Sequence, residues 1–186
     1  MHELILGGQR SGKSRRAEAL AAQWLARSPA HEAVLIATAL PADAEMHERI
    51  ARHRADRQAR VPRLQTVEAP LALAGALRAH TAAHRLLVVD CLTLWLTNLL
   101  MPADGPAASE AQAHATADAL LAALQAATGP VVLVSNEIGL GISPLGREVR
   151  HFVDELGRLH QAVAAACERV TLMVAGQALA IKPARE

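Results

Sequence analysis

The chain has 186 residues, of which 52% are hydrophobic and 2% aromatic, and its formal net charge is +1. This length predicts a single domain over residues 1–186, with a core packed mainly from Ala, Leu, Val and Ile. The near-neutral charge argues against binding to nucleic acid or to an anionic membrane surface. The scarcity of aromatic residues argues against stacking on single-stranded bases.

The cysteines and the apolar segments suggest the compartment. Cys91 and Cys167 lack the spacing of a zinc site, so we expect both in the core. The N-terminus lacks a basic region followed by an apolar signal stretch. The apolar stretch at residues 91–101 is too short to cross a bilayer. We therefore expect a cytoplasmic protein with no membrane insertion.

The first half of the chain predicts strands that alternate with helices. Short apolar strands are expected at residues 4–6, 33–37, 64–68 and 86–90. Helices are expected at residues 13–27, 44–58, 70–82 and 92–100. The first of these helices has apolar residues at helical spacing and ends before Ser28 and Pro29.

The second half continues the alternation. A flexible loop at residues 102–106 precedes a helix at 109–127 with Ser109 as its cap, a strand at 131–135, a glycine-rich segment at 139–146, a helix at 147–167 and a strand at 170–174. Almost wholly apolar strands between helices predict an α/β fold with a mostly parallel sheet flanked by helices. Ligands of such sheets bind beyond the carboxyl ends of the strands. Residues 7–14, Thr38, Asp90, Asn136 and Glu137 should therefore share one rim.

Residues 7–14 match the phosphate-binding pattern G-x-x-x-x-G-K-[ST]. The glycines let the backbone amides point at phosphate oxygens, and the following helix presents its positive N-terminus to them. Lys13 can neutralise the β- and γ-phosphates, and the Ser14 hydroxyl can bind Mg²⁺. The pattern therefore predicts a P-loop that binds a nucleoside triphosphate. Its residues are Gly7, Gly8, Gln9, Arg10, Ser11, Gly12, Lys13 and Ser14.

Asp90 ends the clearest apolar strand of the sequence. A carboxylate at that place usually supports Mg²⁺ in P-loop enzymes. Alternatively, Asp90 could cap the helix that begins at Leu92. The two roles are compatible, and the sequence leaves both open.

His53 lies in an arginine-rich segment. On a helix, Arg49 and Arg57 would flank it at four residues on either side, on the same face. Neighbouring positive charges disfavour the imidazolium form and would also hold a phosphate group. A neutral imidazole that attacks an α-phosphorus would give a covalent phosphoramidate. The alternative is a solvated helix face on which the histidine is incidental, and the pattern does not decide between the two.

Several blocks of sequence, in order and nearly from end to end, carry a family resemblance. They are the opening GGQRSGKSR, Ile36-Ala37-Thr38, Arg49-Ile50 with His53, Thr66-Val67-Glu68, Asp90-Cys91-Leu92-Thr93 and SNEIGLGI at residues 135–142. These blocks resemble the bifunctional adenosylcobinamide kinase/adenosylcobinamide-phosphate guanylyltransferase family.

The resemblance implies two reactions in coenzyme B12 (cobalamin) biosynthesis and salvage. A nucleoside triphosphate, ATP or GTP, phosphorylates adenosylcobinamide, and GTP then gives GMP to the adenosylcobinamide phosphate. His53 would carry GMP covalently, with Lys13 as the other catalytic residue and Mg²⁺ held by Ser14 and Asp90. The family is similar to RecA-like P-loop proteins in fold and forms homotrimers. The nucleotide contacts that it implies outside the P-loop are Ala37, Thr38, Ala39, Arg54, Ala55, Asp56, Arg57, Glu68 and Asp90.

The chain also departs from the family pattern. It is about three residues longer near residues 60–64, which leaves the role of Glu68 open. Arg52 stands where some members carry a second histidine, and His160 replaces a frequent asparagine. Glu137 could serve Mg²⁺ or accept the hydroxyl proton of the kinase substrate, or it could only stabilise its loop. The competing functions are a P-loop kinase of another small metabolite and a nucleotide-dependent switch that binds a partner.

Overall fold

The computed structural model describes residues 1–41 and 44–182, and the side chains of Glu45 and Arg49 also lie outside the described residues. The described chain forms one seven-stranded sheet with helices on both faces. Its strands are β1 (His2–Gly7), β2 (Glu32–Ala37), β3 (Leu64–Glu68), β4 (Arg85–Asp90), β5 (Val131–Val134), β6 (Arg169–Val174) and β7 (Gln177–Lys182).

The sheet has the order β3-β2-β4-β5-β1-β6-β7. All neighbouring strands are parallel except β6 and β7, which are antiparallel. The predicted α/β fold with a mostly parallel sheet is confirmed. The sequence analysis missed β7, because this edge strand is largely exposed and lacks a buried apolar run. A tight turn at Ala175 and Gly176, both at positive φ, connects it to β6.

The described residues form six helices that flank the sheet. They are α1 (Lys13–Ala26), α2 (Ala44–Arg60), α3 (Leu73–His80), α4 (Leu92–Leu100), α5 (Glu110–Gln125) and α6 (Arg147–Ala166). Ser109 caps α5 as predicted, in a reciprocal pair of hydrogen bonds with Gln112. The helix predicted at residues 70–82 was too long, since α3 begins at Leu73 and ends at His80. Thr81 is extended because its hydroxyl accepts a hydrogen bond of 2.9 Å from the Thr128 amide.

Alternate residues of the strands face two apolar layers, as expected for a sheet buried on both faces. Leu4 packs with residues of α3 to α6 on one face, whereas Ile5 packs with α1 on the other. Cys91 and Cys167 are buried free thiols, as predicted. Burial raises the pKa of each thiol to about 12, so neither supplies a thiolate near neutral pH.

Lys182 fastens the edge strand β7 to the end of α6. Its Nζ donates hydrogen bonds to the carbonyl oxygens of Ala164, at 2.9 Å, and of Cys167. We expect Lys182→Ala to lower the free energy of unfolding by about 1 to 2 kcal/mol, because carbonyls at a helix end lose a charged donor. Urea denaturation measures this loss, and Lys182→Arg is the matched control. A loss below about 0.5 kcal/mol would contradict the assignment.

The described helices include none with both the length and the apolarity that a membrane crossing requires.

Candidate nucleotide-binding site

The P-loop connects β1 to α1, which is the strand-loop-helix context that the motif requires. The loop is closed by hydrogen bonds from the Ser11 amide to the Gly8 carbonyl, at 3.3 Å, and from the Gly176 amide to the Ser11 carbonyl, at 3.0 Å. Gly12 precedes α1 with φ of 100°, in the left-handed region. The turn after β6 thus supports the loop from outside, a contact that the sequence did not predict.

Lys13 is folded back onto its own loop. Its side chain is only 7% exposed, and Nζ donates to the carbonyl oxygens of Gly7, at 2.8 Å, and Gly8, at 2.6 Å. Burial lowers the pKa of Lys13, whereas the charge of Asp90 acts to raise it. An ammonium group held against carbonyl dipoles at the mouth of the loop can exchange them for phosphate oxygens.

Gly7 is required by space as well as by conformation. A Cβ on Gly7 would lie 2.5 Å from the Met173 carbonyl oxygen and 2.6 Å from Ser11 Oγ, and its φ is 152°. A Cβ on Gly8 meets nothing within 4 Å. We expect Gly7→Ala to destabilise the protein by about 1 to 3 kcal/mol and to weaken triphosphate binding, whereas Gly8→Ala changes stability by less than about 0.5 kcal/mol.

Thermal unfolding with and without nucleotide separates the two glycine variants. Equal stability of Gly7→Ala and Gly8→Ala would contradict the crowding seen around Gly7.

A cleft of about 1180 Å³ lies between the P-loop, α2 and the carboxyl ends of the strands. Most of the predicted site residues line it. They are Gln9, Arg10, Ser11, Gly12, Lys13, Ser14, Ala37, Ala39, His53, Arg54, Asp56, Arg57, Glu68 and Asp90. Asn136 also lines the cleft, whereas Gly7, Gly8, Thr38, Ala55 and Glu137 are not among its lining residues.

Thr38 is completely buried and ties two strand ends together. Its Oγ1 accepts a hydrogen bond from the Cys91 amide, at 2.8 Å, and donates one to the Cys91 carbonyl, at 2.7 Å. The Asn98 side-chain amide donates to the Thr38 carbonyl at 2.8 Å. The side chain of Thr38 therefore holds the ends of β2 and β4 in register, while its neighbours Ala37 and Ala39 face the cleft.

Asp90 is not the cap of α4. The cap is Cys91, whose Sγ accepts a hydrogen bond from the Leu94 amide at 3.5 Å. The alternative that Asp90 caps α4 was therefore wrong. The helix begins at Leu92, and the cap position directly before it is occupied by Cys91. Asp90 lines the cleft together with Lys13 and Ser14.

The arginines of α2 are held by carboxylates of other elements. Glu18 on α1 is 4% exposed, and its Oε2 lies 2.8 Å from Arg60 Nε. Burial lowers the pKa of Arg57, and the charges of Glu18 and Asp90 raise it. Arg54 pairs with Glu68. The sequence analysis missed Glu18, although its position next to Ala17 on the buried side of α1 was a signal.

His53 is exposed on α2 and lines the cleft, as does Arg57 one turn later. The predicted flanking contact of Arg49 falls on a side chain outside the described residues. Met46 and Ile50 of α2 are half-buried and line the cleft. The helix therefore presents an apolar stripe and its histidine to the same space.

A second group of potential ligands lies away from the cleft, between α5 and α6. Side-chain atoms of Glu110, His114 and Glu155 lie within 4.8 Å of one another. The buried Glu155 carboxylate already pairs with His114, at 3.0 Å, and with Arg158. These ion pairs provide the buried Glu155 carboxylate with charged partners.

Comparisons with known proteins identify the family of the chain. The family model described as cobinamide kinase / cobinamide phosphate guanyltransferase matches residues 3–181. The bifunctional adenosylcobalamin biosynthesis protein CobP of Pseudomonas aeruginosa is 52% identical over 183 residues, which cover 98% of each chain. The corresponding protein CobU of Escherichia coli is 38% identical over 187 residues, covering 96% of this chain and 98% of its own.

Among solved structures, the flagellar accessory protein FlaH from Methanocaldococcus jannaschii has a TM-score of 0.48 and 12% identity, over 98% of this chain and 78% of its own. That likeness is too distant to bear on the site. The family match over nearly the whole chain and the two relatives are decisive. The chain belongs to the cobinamide kinase / cobinamide phosphate guanyltransferase family.

Proposed function

We propose that this protein phosphorylates adenosylcobinamide with a nucleoside triphosphate and then transfers GMP from GTP to the new phosphate through His53. Family membership makes it an enzyme of cobalamin biosynthesis with kinase and guanylyltransferase activities. The assignment of the residues rests on one observation, which is that Lys13, Ser14, Asp90 and His53 all line one cleft.

In the kinase step, the P-loop would hold the triphosphate with its γ-phosphate against Lys13. The aminopropanol hydroxyl of adenosylcobinamide attacks the γ-phosphorus, the bond to the β-phosphate oxygen breaks, and the nucleoside diphosphate leaves. The hydroxyl proton passes to a nearby base or to water. Lys13 stabilises the charge that develops on the transferring group.

Ser14 and Asp90 would hold Mg²⁺ in this step. A hydroxyl and a carboxylate are oxygen ligands of the kind that Mg²⁺ prefers. Asp90 fits the role because it lines the cleft and does not cap a helix. When bound, the ion would neutralise phosphate charge.

In the guanylyl step, a ring nitrogen of His53 attacks the α-phosphorus of GTP and pyrophosphate leaves, which gives a covalent GMP-histidine. An oxygen of adenosylcobinamide phosphate then attacks the same phosphorus, and the bond to His53 breaks. The products are adenosyl-GDP-cobinamide and free His53. Arg57, one helical turn from His53, would stabilise the phosphate charge in both halves of the reaction.

The remaining parts of the proposal concern nucleotide choice, assembly and location. We infer that ATP and GTP both serve the enzyme, GTP as the GMP donor, and that it acts as a homotrimer in the cytoplasm without nucleic acid or membrane partners. Light scattering on the purified protein measures the assembly, and a monomeric mass would contradict the trimer.

The experiment that tests the function uses GTP labelled at the α-phosphate. The protein should retain label after denaturation, and the bond should be acid-labile and base-stable. Addition of adenosylcobinamide phosphate should move the label into adenosyl-GDP-cobinamide. A kinase of another metabolite would retain no α-label and would not phosphorylate adenosylcobinamide, and a switch protein would hydrolyse nucleotide without any transfer.

A further inference from the structure

We propose that His160 is a positioning residue that holds Asn136 beside the P-loop through a directional chain of hydrogen bonds and holds Glu137 through an electrostatic contact with its other ring nitrogen. Its kinetic consequence rests on the proposed function, whereas its structural basis does not. The sequence had marked His160 only as a departure from the family pattern.

His160 is a buried polar residue on an apolar helix face. It is 7% exposed on α6, among Phe152, Leu156, Leu159 and Val163. Its Nε2 lies 2.7 Å from Ser135 Oγ, and its Nδ1 lies 3.8 Å from Glu137 Oε2. The imidazole thus bridges two residues of the segment that follows β5.

The neighbours of the ring determine where its proton lies. Burial lowers the pKa of His160, with Glu137 opposing this shift, so the neutral ring dominates near neutral pH. The Glu137 carboxylate lies 3.8 Å from Nδ1, beyond hydrogen-bond distance, but its negative charge favours the proton of the neutral ring on that nearer nitrogen. Nε2 is then an acceptor, and the Ser135 hydroxyl must donate to it.

The series of hydrogen bonds continues from Ser135 to the cleft. Ser135 Oγ lies 3.0 Å from Thr93 Oγ1, which accepts a hydrogen bond of 2.7 Å from the Asn136 amide. Thr93 therefore donates to Ser135, and all the donors point the same way, from Asn136 through Thr93 and Ser135 to His160. Asn136, at the start of this chain, lines the cleft.

Glu137, on the other side of the His160 ring, is linked to Lys13 through the Gly7 carbonyl. The Glu137 carboxylate accepts a hydrogen bond of 2.6 Å from the Gly139 amide at Oε1, whereas Oε2 is the oxygen that faces His160. The Glu137 amide donates to the Gly7 carbonyl at 2.9 Å, and Lys13 Nζ donates to the same carbonyl oxygen at 2.8 Å. A shift of the Asn136-Glu137 segment would therefore displace an acceptor of Lys13.

The tautomer of His160 is the direct structural test. Long-range proton–nitrogen spectra of histidine-labelled protein, assigned with His160→Gln, should show the proton of the His160 ring on Nδ1 and an unprotonated Nε2. This is the less common tautomer of a free imidazole, so it will not arise by default. A proton on Nε2 would overturn the proposal, because the hydrogen bonds would then run in the opposite direction.

Enzyme kinetics distinguish a positioning role of His160 from a role in protein stability alone. We expect His160→Leu to lower kcat of adenosylcobinamide phosphorylation about 10- to 100-fold, with less than about a threefold change in the KM of the nucleotide. His160→Gln should recover most of the loss, because its amide oxygen can accept from Ser135. Val163→Ala, on the same buried face, is the control for lost stability and should keep the wild-type kcat.

Three results would overturn the inference. They are a His160→Leu kcat equal to that of Val163→Ala, a loss that appears only as a raised KM, and a His160→Gln variant as slow as His160→Leu. If the wild-type protein phosphorylates no adenosylcobinamide, the proposed function fails instead, and the tautomer still decides the inference.

Discussion

Lys13→Ala should lower the rate of phosphate transfer to adenosylcobinamide by about 10²- to 10³-fold, because it removes the charge that stabilises the transferring phosphoryl group. The guanylyl step should fall as well, since the same P-loop would bind the triphosphate of GTP. Initial rates with labelled nucleotide measure both effects. The loss should appear in kcat, because the lysine acts most strongly on the charge that develops in the transition state.

The structure also predicts that Lys13→Ala lowers the stability of the protein. Lys13 is buried, and its ammonium group binds two carbonyl oxygens. Its removal leaves the Gly7 and Gly8 carbonyls without that donor, which should cost about 1 to 3 kcal/mol of folding free energy. Activity must therefore be measured at a temperature where the variant is still fully folded.

Lys182→Ala is the matched control for Lys13→Ala. Lys182 is the other lysine of the chain, and its side chain also binds backbone carbonyls, but it does not line the cleft. It should lower stability while leaving kcat within about twofold. If Lys13→Ala kept kcat within tenfold of the wild type, the P-loop assignment of the kinase step would be wrong.

The second large effect is expected for His53→Asn. The variant should form no GMP-protein adduct and should transfer GMP at least about 10³-fold more slowly, since loss of a nucleophile removes the covalent route. The kinase step should persist within about threefold, because the P-loop, Ser14 and Asp90 remain. Retained α-label after denaturation and gel separation measures the first step directly.

His47→Asn is a close control for this variant. His47 lies on the same helix, is exposed and lines the same cleft. It should retain the label and the full guanylyl rate. Label on His53→Asn, or its loss from His47→Asn alone, would place the nucleophile elsewhere on α2.

The arrangement of α2 would allow one cleft to serve both proposed reactions. Arg60 pairs with Glu18 of α1, the helix that begins at the P-loop, and the charge of Glu18 also acts on Arg57. Arg54 pairs with Glu68 at the end of β3. His53 lines the same cleft as Lys13 and Ser14. The proposed nucleophile and the proposed phosphate-binding loop would thereby share one substrate space.

The sequence by itself determined the local elements and the phosphate-binding loop. Apolar runs such as residues 86–90 specify buried strands, and helical spacing specifies the helices that cover them, because both signals depend on near neighbours in the chain. The pattern at residues 7–14 specifies its own turn, since glycines and a following helix are local requirements. The edge strand β7 was not predicted, because an exposed strand lacks the buried apolar run that indicates a strand.

Only the tertiary structure decided which side chains meet. Thr38 is bound to Cys91, 53 residues away, and is thereby turned from the cleft into the interior. His160 reaches Ser135 across 25 residues, and Glu18 meets Arg60 from a different helix. Such contacts depend on the crossing of helices and the order of strands, which no local spacing encodes. The motif indicated where phosphate binds, and the packing of the sheet determined which residues surround it.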